Sequence, residues 1–252
     1  MATDSQRRML IRPLMKRRPD LVYHRQYVFL RPLTHYLRGV YFCPGRWSNE
    51  IELQPFAIPL FLGESGIYLA HGKLADGRRA FRYLHHGDWP EDPEAASRKV
   101  CEVIEHEALP QLAGLTSPEA LSVHPAYGRK LEYAVLDPCF YGDYDTAQRA
   151  ADSYLLYWSS GSPGWIDDPA EVRKRSLALR RRGKETYSTD FATEESRFHE
   201  EPWKRMEYLG MLLKTDRSRI PALLHDWEEF SVKSHKLEKY WTRTPFPCEA
   251  RG

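Results

Sequence analysis

The sequence contains little cysteine and no long apolar run. Its 252 residues include only four cysteines, and no two of them form a CxxC pair of the kind used in zinc and redox sites. Their scarcity excludes a disulfide-rich secreted scaffold. No window approaches the roughly 18 uncharged apolar residues of a membrane span, and the start of the chain lacks a signal-peptide core. We therefore expect a cytoplasmic protein with no membrane partner.

The usual motifs of catalysis and cofactor binding are also missing. The sequence has no GxxxxGK[ST] or GxGxxG loop for phosphates, no HExxH pair for zinc and no GxSxG elbow. Of the ten histidines, His85 and His86 are adjacent, and adjacent residues of a strand point to opposite faces. We therefore expect neither a metal nor a cofactor. A Ser–His or Cys–His pair that meets only in the folded chain stays open as an alternative.

Charge is nearly balanced but locally clustered. The net charge is +2, from 37 basic and 35 acidic residues, and it does not demand a nucleic acid or membrane partner. Arginines and lysines crowd the first 18 residues, a pattern typical of a solvated helix face. A second cluster, Arg173 to Lys184, supplies candidate nucleic-acid contacts that would bind phosphates without reading sequence: Arg173, Lys174, Arg180, Arg181 and Arg182. The commoner explanation of such a cluster is again a solvated helix face.

Residues typical of β-strands concentrate between Asp20 and Leu62. Turn signals at Arg31-Pro32 and Pro44-Gly45 divide this stretch into three predicted strands. Two more strands are predicted at residues 67–73 and 79–84, around the hairpin signal Asp76-Gly77. The sequence thus predicts an antiparallel sheet of about five strands.

Helical patterns flank this sheet. Residues 3–18 predict a helix that Pro13 bends or splits into two. Asp92-Pro93 predicts the start of another helix, and two amphipathic helices are predicted near the end of the chain, at 195–214 and 216–236. The fold class is therefore α+β: an N-terminal helix and antiparallel sheet in residues 1–90, a helical region packed on the sheet in 91–241, and a flexible tail in 242–252. We expect these parts to form one compact unit.

Candidate site residues come from isolated polar and aromatic side chains. Arg38 lies within an apolar strand, so its charge needs a partner, either a buried carboxylate such as Glu52 or an anionic ligand. If His24, His35 and Arg38 converge beside the sheet, they would form the site of a hydrolase or nuclease, with or without a metal. Three tryptophans in predicted loops are candidate anchors for a protein partner: Trp47, Trp89 and Trp165.

One stretch of the sequence also carries a longer pattern. Between Pro32 and Phe61 it reads P-x-x-H-x-L-R-G-x-x-F, followed by a strand that ends in Pro-Leu; the matching positions are Pro32, His35, Leu37, Arg38, Gly39, Phe42, Pro59 and Leu60. In this the chain resembles a group of uncharacterised bacterial proteins, and Leu112, Thr116–Glu119 and His225–Glu228 look similar to that group as well. The group is broadly similar to α+β immunity proteins and to domains of unknown function encoded beside bacterial toxin and defence genes.

Three functions are consistent with these patterns. The absence of catalytic motifs and the many aromatic residues favour a non-enzymatic protein-binding module, and the resemblance implies the immunity or defence type. A hydrolase or nuclease with a site near His24, His35 and Arg38 is one alternative. Nucleic-acid binding through Arg173 to Lys184 is the other.

Overall fold

The chain divides into two compact units. A computed structural model describes residues 3–44, 51–64, 92–122, 131–159, 192–198 and 201–251, together with 174, 177, 178, 181 and 182. The sheet unit comprises Met1–Pro59, Ile67–Gly128 and Glu238–Thr242, and the helical unit comprises Leu60–Gly66, Arg129–Leu237 and Arg243–Gly252. Residues 92–122 thus fall in the same unit as the sheet, although the sequence predicts a boundary at residue 90. The predicted α+β class is confirmed.

The N-terminal helix, α1 (Asp4–Arg17), begins with a capping box. Thr3 Oγ1 accepts a hydrogen bond from Gln6 N at 3.3 Å, and Gln6 Oε1 accepts one from Thr3 N at 2.7 Å. Two main-chain donors at the start of the helix are therefore paired. Pro13 lies inside this one helix and does not split it into two, because the buried side chains around it hold the helix in place: Leu10, Ile11 and Leu14.

Four antiparallel strands follow in chain order: β1 (Leu21–His24), β2 (Tyr27–Leu30), β3 (Tyr36–Pro44) and β4 (Ile51–Pro59). The prediction of three strands before residue 62 is wrong, because the first of them is a hairpin that turns at Arg25 and Gln26. Arg25 has a φ of 55°, and neither residue is the Asn, Asp or Gly typical of such turns. The described residues therefore contain four strands rather than about five. The strands predicted at 67–73 and 79–84 lie outside them.

The register determines which side chains share a face of the sheet, since paired residues on neighbouring strands lie on the same side. His24 pairs with Tyr27, and Tyr27 pairs with Tyr41. The face that carries these residues contacts Tyr240 through aromatic rings, and we call it the Tyr240 face. The opposite face carries Tyr23, whose side chain contacts α1, and we call it the α1 face.

A helical run completes the described part of the sheet unit. It begins at α2 (Pro93–Glu102), where Asp92 Oδ1 accepts hydrogen bonds from Glu94 N and Ala95 N, which confirms the helix start predicted at Asp92-Pro93. Ser97 Oγ donates to Leu10 O at 2.6 Å and so joins α2 to α1. The run continues as a π-helical segment, Val103–Ala108, and two short helices, α3 (Leu109–Ala113) and α4 (Pro118–Ser122).

The helical unit contains four longer helices among its described residues: α5 (Tyr133–Tyr141), α6 (Tyr144–Ser159), α7 (Pro202–Thr215) and α8 (Ile220–His235). The last two confirm the pair of amphipathic helices predicted near the end of the chain. Trp227 of α8 is fully buried and donates from Nε1 to Arg197 O at 2.6 Å. Gly63, at φ +70°, passes so close to Trp227 that a Cβ at Gly63 would lie 3.0 Å from the indole. The Leu60–Leu62 turn, which precedes Gly63, also packs against α8.

The end of the chain differs from the flexible tail predicted for residues 242–252. Pro247–Arg251 form a 3-10 helix, and Phe246 is 1% exposed. The Phe246 ring lies 5.6 Å from that of Phe61 and 5.7 Å from that of Phe140. Glu249 accepts a hydrogen bond from Phe246 N at 3.0 Å and lies 2.8 Å from His225 Nε2. The two prolines suggest an extended segment, but the burial of Phe246 in the helical unit stabilises a folded one.

Candidate functional site

A groove of about 610 Å³ opens beside β1 in the sheet unit. Its lining comes from α1, from β1, from Arg31 at the end of β2, and from Tyr240. We call it the edge groove, because β1 is the first strand in the order of the sheet. Its volume lies within the range of pockets that hold ligands in other proteins.

The wall on one side of the edge groove is α1. Arg8, Arg12 and Met15 are spaced by four and three residues, so they lie along one side of the helix, and all three line the groove. Met9 lines it as well and is 45% exposed, one of the few large apolar side chains that reach the surface among the described residues. This wall is therefore a mixture of methionine and arginine.

Tyr23 of β1 is tied to this wall through Asp4. The Tyr23 hydroxyl donates to Asp4 Oδ1 at 2.8 Å, and Arg8 Nε donates to Asp4 Oδ2 at 2.7 Å. The Arg8 guanidinium also lies 4.8 Å from the centre of the Tyr23 ring. The hydrogen bonds from Arg8 and Tyr23 hold the pKa of Asp4 below its ordinary value, while burial, helped by the Asp4 bond, raises the pKa of Tyr23. At neutral pH the pair is therefore a neutral phenol donating to a carboxylate.

The wall on the other side is Tyr240, which comes from the segment Glu238–Thr242. This segment is fixed by a parallel bridge between Leu33 and Trp241 and by a hydrogen bond from Thr242 N to Leu33 O at 2.9 Å. The Tyr240 ring lies edge-on to Phe29, with ring centres 5.4 Å apart. Tyr240 thus has a defined place on its face of the sheet.

The edge groove is positively charged. Three arginines line it, and its described lining contains no acidic residue. Arg8 is balanced by Asp4, and Arg31 Nη2 donates to Pro19 O. Arg12 is exposed, and no residue in the described ranges forms an ion pair with it. A partner that enters the groove therefore meets Arg12, whose charge no described residue matches, and an anionic partner is favoured.

The structure does not bring His24 and Arg38 together. Arg38 lies three residues from Tyr41 on β3, so it belongs to the α1 face, whereas His24 belongs to the Tyr240 face. His24 contacts the rings of Tyr27 and Tyr240. His35 is buried just before β3, at 9% exposure. The hydrolase or nuclease interpretation therefore has no shared site for His24 and Arg38.

Arg38 finds partners that differ from those predicted. Its Nη1 donates to Ala113 O at 2.9 Å and lies 3.4 Å from Leu112 O. The guanidinium therefore binds carbonyls at the C-terminal end of α3, where a cation is favoured. Glu52, the carboxylate predicted as its partner, pairs in register with Cys43, five residues from Arg38 along β3. Burial lowers the pKa of Arg38. This contact gives Arg38 a structural role that links β3 to α3.

The remaining predicted site residues are only partly described. Trp47, Trp89 and Trp165 lie outside the described residues, as do Arg173 and Arg180. Lys174, Arg181 and Arg182 are exposed, so nucleic-acid binding through this cluster stays a prediction. Across the described ranges, no three His, Cys, Asp or Glu side chains are grouped so that they could hold a metal ion, and no described helix has the length and apolar character that crossing a membrane requires.

Comparisons with known proteins do not assign this chain to a family. No protein-family model, no curated protein and no solved structure matches this chain. The resemblance to bacterial immunity and defence proteins stays a prediction.

Sequence reasoning missed the edge groove. The cationic start of the chain is visible in the sequence, but it predicts a solvated helix face. A sharper signal is that Met9 and Met15 alternate with Arg8 and Arg12, because exposed methionines are over-represented at adaptable binding surfaces. No local signal identifies Tyr240, which is more than 200 residues from α1 in the chain.

Proposed function

We propose that this protein is a non-enzymatic binding module for another protein, and that the edge groove holds an acidic segment of that partner. The observation that supports the proposal is the composition of the groove: an apolar lining with three arginines and no described carboxylate. Apolar contacts give a partner affinity, and charges at the edge of an interface favour a partner of opposite sign.

Two side chains on α1 are best placed to contact such a partner. Met9 is 45% exposed, so a partner that covers it removes apolar surface from water. Arg12 is exposed on the same wall, and arginine is enriched at interfaces because its planar fork binds carboxylates. Neither side chain belongs to the buried core, so both can be changed without unfolding the sheet unit.

The test is a comparison of two matched double variants of the full chain. Met9→Asp with Arg12→Glu changes the edge groove. Leu177→Asp with Arg181→Glu makes the same chemical changes at exposed positions elsewhere, since Leu177 is 48% exposed and Arg181 is exposed. Partners captured by the unaltered chain from its native host are purified, and their Kd is measured by calorimetry against all three proteins.

We expect the groove variant to weaken binding at least about tenfold, as loss of a central contact does, and the matched variant to bind like the unaltered chain. Both variants should keep their unfolding free energy within about 0.5 kcal/mol, because the substitutions are on the surface. Equal binding by all three proteins, or repeated failure to capture a stoichiometric partner, would overturn the proposal. An immunity or defence role is a narrower form of it, and requires the captured partner to be a toxin.

The matched variant also tests the nucleic-acid alternative. If Arg173 to Lys184 bind phosphates, then Leu177→Asp with Arg181→Glu should reduce the retention of nucleic acid and make it less sensitive to salt. Unchanged retention would rule that alternative out.

A further inference from the structure

The outer edge of β1 carries main-chain groups that point away from the sheet. Arg31 N donates to Asp20 O at 2.8 Å, so this pair is hydrogen-bonded across the hairpin. In an antiparallel ladder, hydrogen-bonded pairs alternate with non-bonded ones. The next bonded pairs are therefore Val22 with Phe29 and His24 with Tyr27, and the main-chain groups of Leu21 and Tyr23 point outward.

Within the described ranges, only one of these outward groups has a partner. Leu21 N donates to Arg18 O at 3.1 Å, which confirms the direction in which it points. Leu21 O, Tyr23 N and Tyr23 O bond to no described main-chain group. An edge strand with free donors and acceptors is a template for a further strand.

The residues that carry these groups line the edge groove, where a further strand could lie. Leu21, Val22 and Tyr23 line the groove, with α1 on one side and Tyr240 on the other. An added strand would lie about 4.8 Å from β1 and expose its side chains alternately to the two sides. The side chains opposite Leu21 and Tyr23 would meet α1, and the one opposite Val22 would meet Tyr240.

We propose that the partner binds by adding an extended segment to β1, with acidic side chains facing α1 and an apolar side chain between them facing Tyr240. This inference rests on the proposed function and specifies the segment that the edge groove recognises. Strand addition takes its affinity from main-chain hydrogen bonds and its specificity from alternate side chains. The acidic positions follow from Arg12 on the α1 wall, which forms no ion pair with a described residue.

The charge of the groove also decides against a second copy of this chain as the occupant. Pairing β1 with β1 of another copy would bring two sets of the same arginines together, and like charges opposite one another are destabilising. A heterologous acidic strand has no such cost.

The test uses the full chain and three labelled peptides of about eight residues, the length of a short strand. The first alternates aspartate with leucine. The second has lysine in place of aspartate. The third keeps the aspartates and leucines but carries N-methyl groups on alternate amides, which removes strand donors and leaves every side chain in place. Affinity is measured by fluorescence anisotropy, and hydrogen exchange is followed by NMR at the amides of Tyr23 and Val22.

We expect the acidic peptide to bind and to slow exchange of the Tyr23 amide at least about tenfold, because this amide gains a hydrogen bond. The Val22 amide already points to β2 and serves as the internal control. N-methylation and replacement of aspartate by lysine should each weaken binding at least about tenfold, and Arg12→Glu should reverse the preference between the acidic and lysine peptides.

The outcomes separate this inference from the proposed function. An acidic peptide that tolerates N-methylation, or binds without protecting Tyr23, overturns strand addition but leaves a protein-binding groove that uses side chains alone. An acidic peptide that does not bind overturns the assigned partner chemistry. If the Tyr23 amide is protected from hydrogen exchange without any peptide, and more strongly at higher protein concentration, a second copy of the chain pairs with the outer edge of β1. The proposed function itself fails if no stoichiometric partner can be captured, or if the Kd of a captured partner is unchanged by Met9→Asp with Arg12→Glu.

Discussion

The polar side chains in the core of the helical unit differ in exposure from the pair beside the edge groove of the sheet unit. In the helical unit, Tyr154 is 2% exposed and its hydroxyl donates to Glu132 at 2.9 Å. His225 of the same unit is 5% exposed, and its imidazole lies 2.8 Å from Glu249. In the sheet unit, the pair nearest the edge groove is exposed, with the Arg8 and Asp4 side chains at 60% and 53%. Buried polar pairs contribute to specifying one packing, whereas exposed pairs contribute little stability and remain accessible to a partner.

The same contrast holds for the two parts of the chain's end. Glu238–Thr242 belong to the sheet unit and add no strand to the outer edge of β1, whereas Arg243–Gly252 belong to the helical unit and bring Phe246 into its core. This difference indicates that substitutions in the helical unit should change mainly stability, and that those around the edge groove should change mainly binding. Three predictions test it.

The largest effect is expected from Phe246→Ala. Phe246 is buried against Phe61 and Phe140, so its truncation should cost about 3–5 kcal/mol of unfolding free energy, as for other buried phenylalanines. Urea denaturation measures the loss. The control is Arg243→Ala, an exposed position three residues away by sequence in the same unit. If both variants unfold at the same urea concentration, the end of the chain does not belong to the core of the helical unit.

A smaller effect is expected from Gly39→Ala in the sheet unit. A Cβ at Gly39 would lie 2.4 Å from Val28 O, and a main-chain atom cannot move aside as a side chain can, so β2 and β3 should separate locally at a cost of about 1–3 kcal/mol. Hydrogen exchange of the β2 and β3 amides should become faster. Gly114→Ala is the matched control, because nothing lies within 4 Å of its added Cβ. Slower or unchanged exchange in Gly39→Ala would contradict the close approach of the two strands.

The smallest effect is expected from Asp4→Asn. Hydrogen bonds from Arg8 and Tyr23 lower the pKa of Asp4 in the folded chain. These bonds therefore stabilise the folded chain at pH values above the ordinary pKa of 3.8, and this stabilisation is lost as the pH falls through the lowered pKa. Because the pair is exposed, the contribution should be below about 1 kcal/mol. Hydrogen exchange of the α1 amides between pH 6 and pH 3, at an ionic strength held constant, should show this loss in the unaltered chain and not in Asp4→Asn. Equal pH dependence in both proteins would show that Asp4 does not hold α1 to Tyr23.

Local signals in the sequence predict the elements that depend on near neighbours. The helix start at Asp92-Pro93 and the amphipathic helices α7 and α8 follow from capping and periodicity within a few residues, and the structure confirms them. The hairpin at Arg25 is missed because its turn residues carry no turn signal while the apolar residues around them continue the strand pattern. The single strand that the sequence predicts is therefore two strands in the structure, and His24 lies on the face opposite Arg38.

Contacts between distant residues explain what could not be predicted. The partners of Arg38 are carbonyls 74 and 75 residues along the chain, and sequence reasoning considers side-chain charges rather than carbonyls freed at a helix end. The edge groove combines residues from α1, β1 and Tyr240. No motif marks it, because each of its residues is ordinary in its own segment.

The sequence by itself determined the α+β class, the antiparallel pairing of the early strands, the helix start at Asp92-Pro93 and the presence of the two amphipathic helices near the end, because these depend on the alternation of side chains and on donors within one turn of the chain. The tertiary structure alone decided that β1 ends the order of the described strands, that Phe246 is buried and that arginines and methionines surround one groove. Those features depend on which distant surfaces exclude water together, and that choice is made only when the whole chain packs.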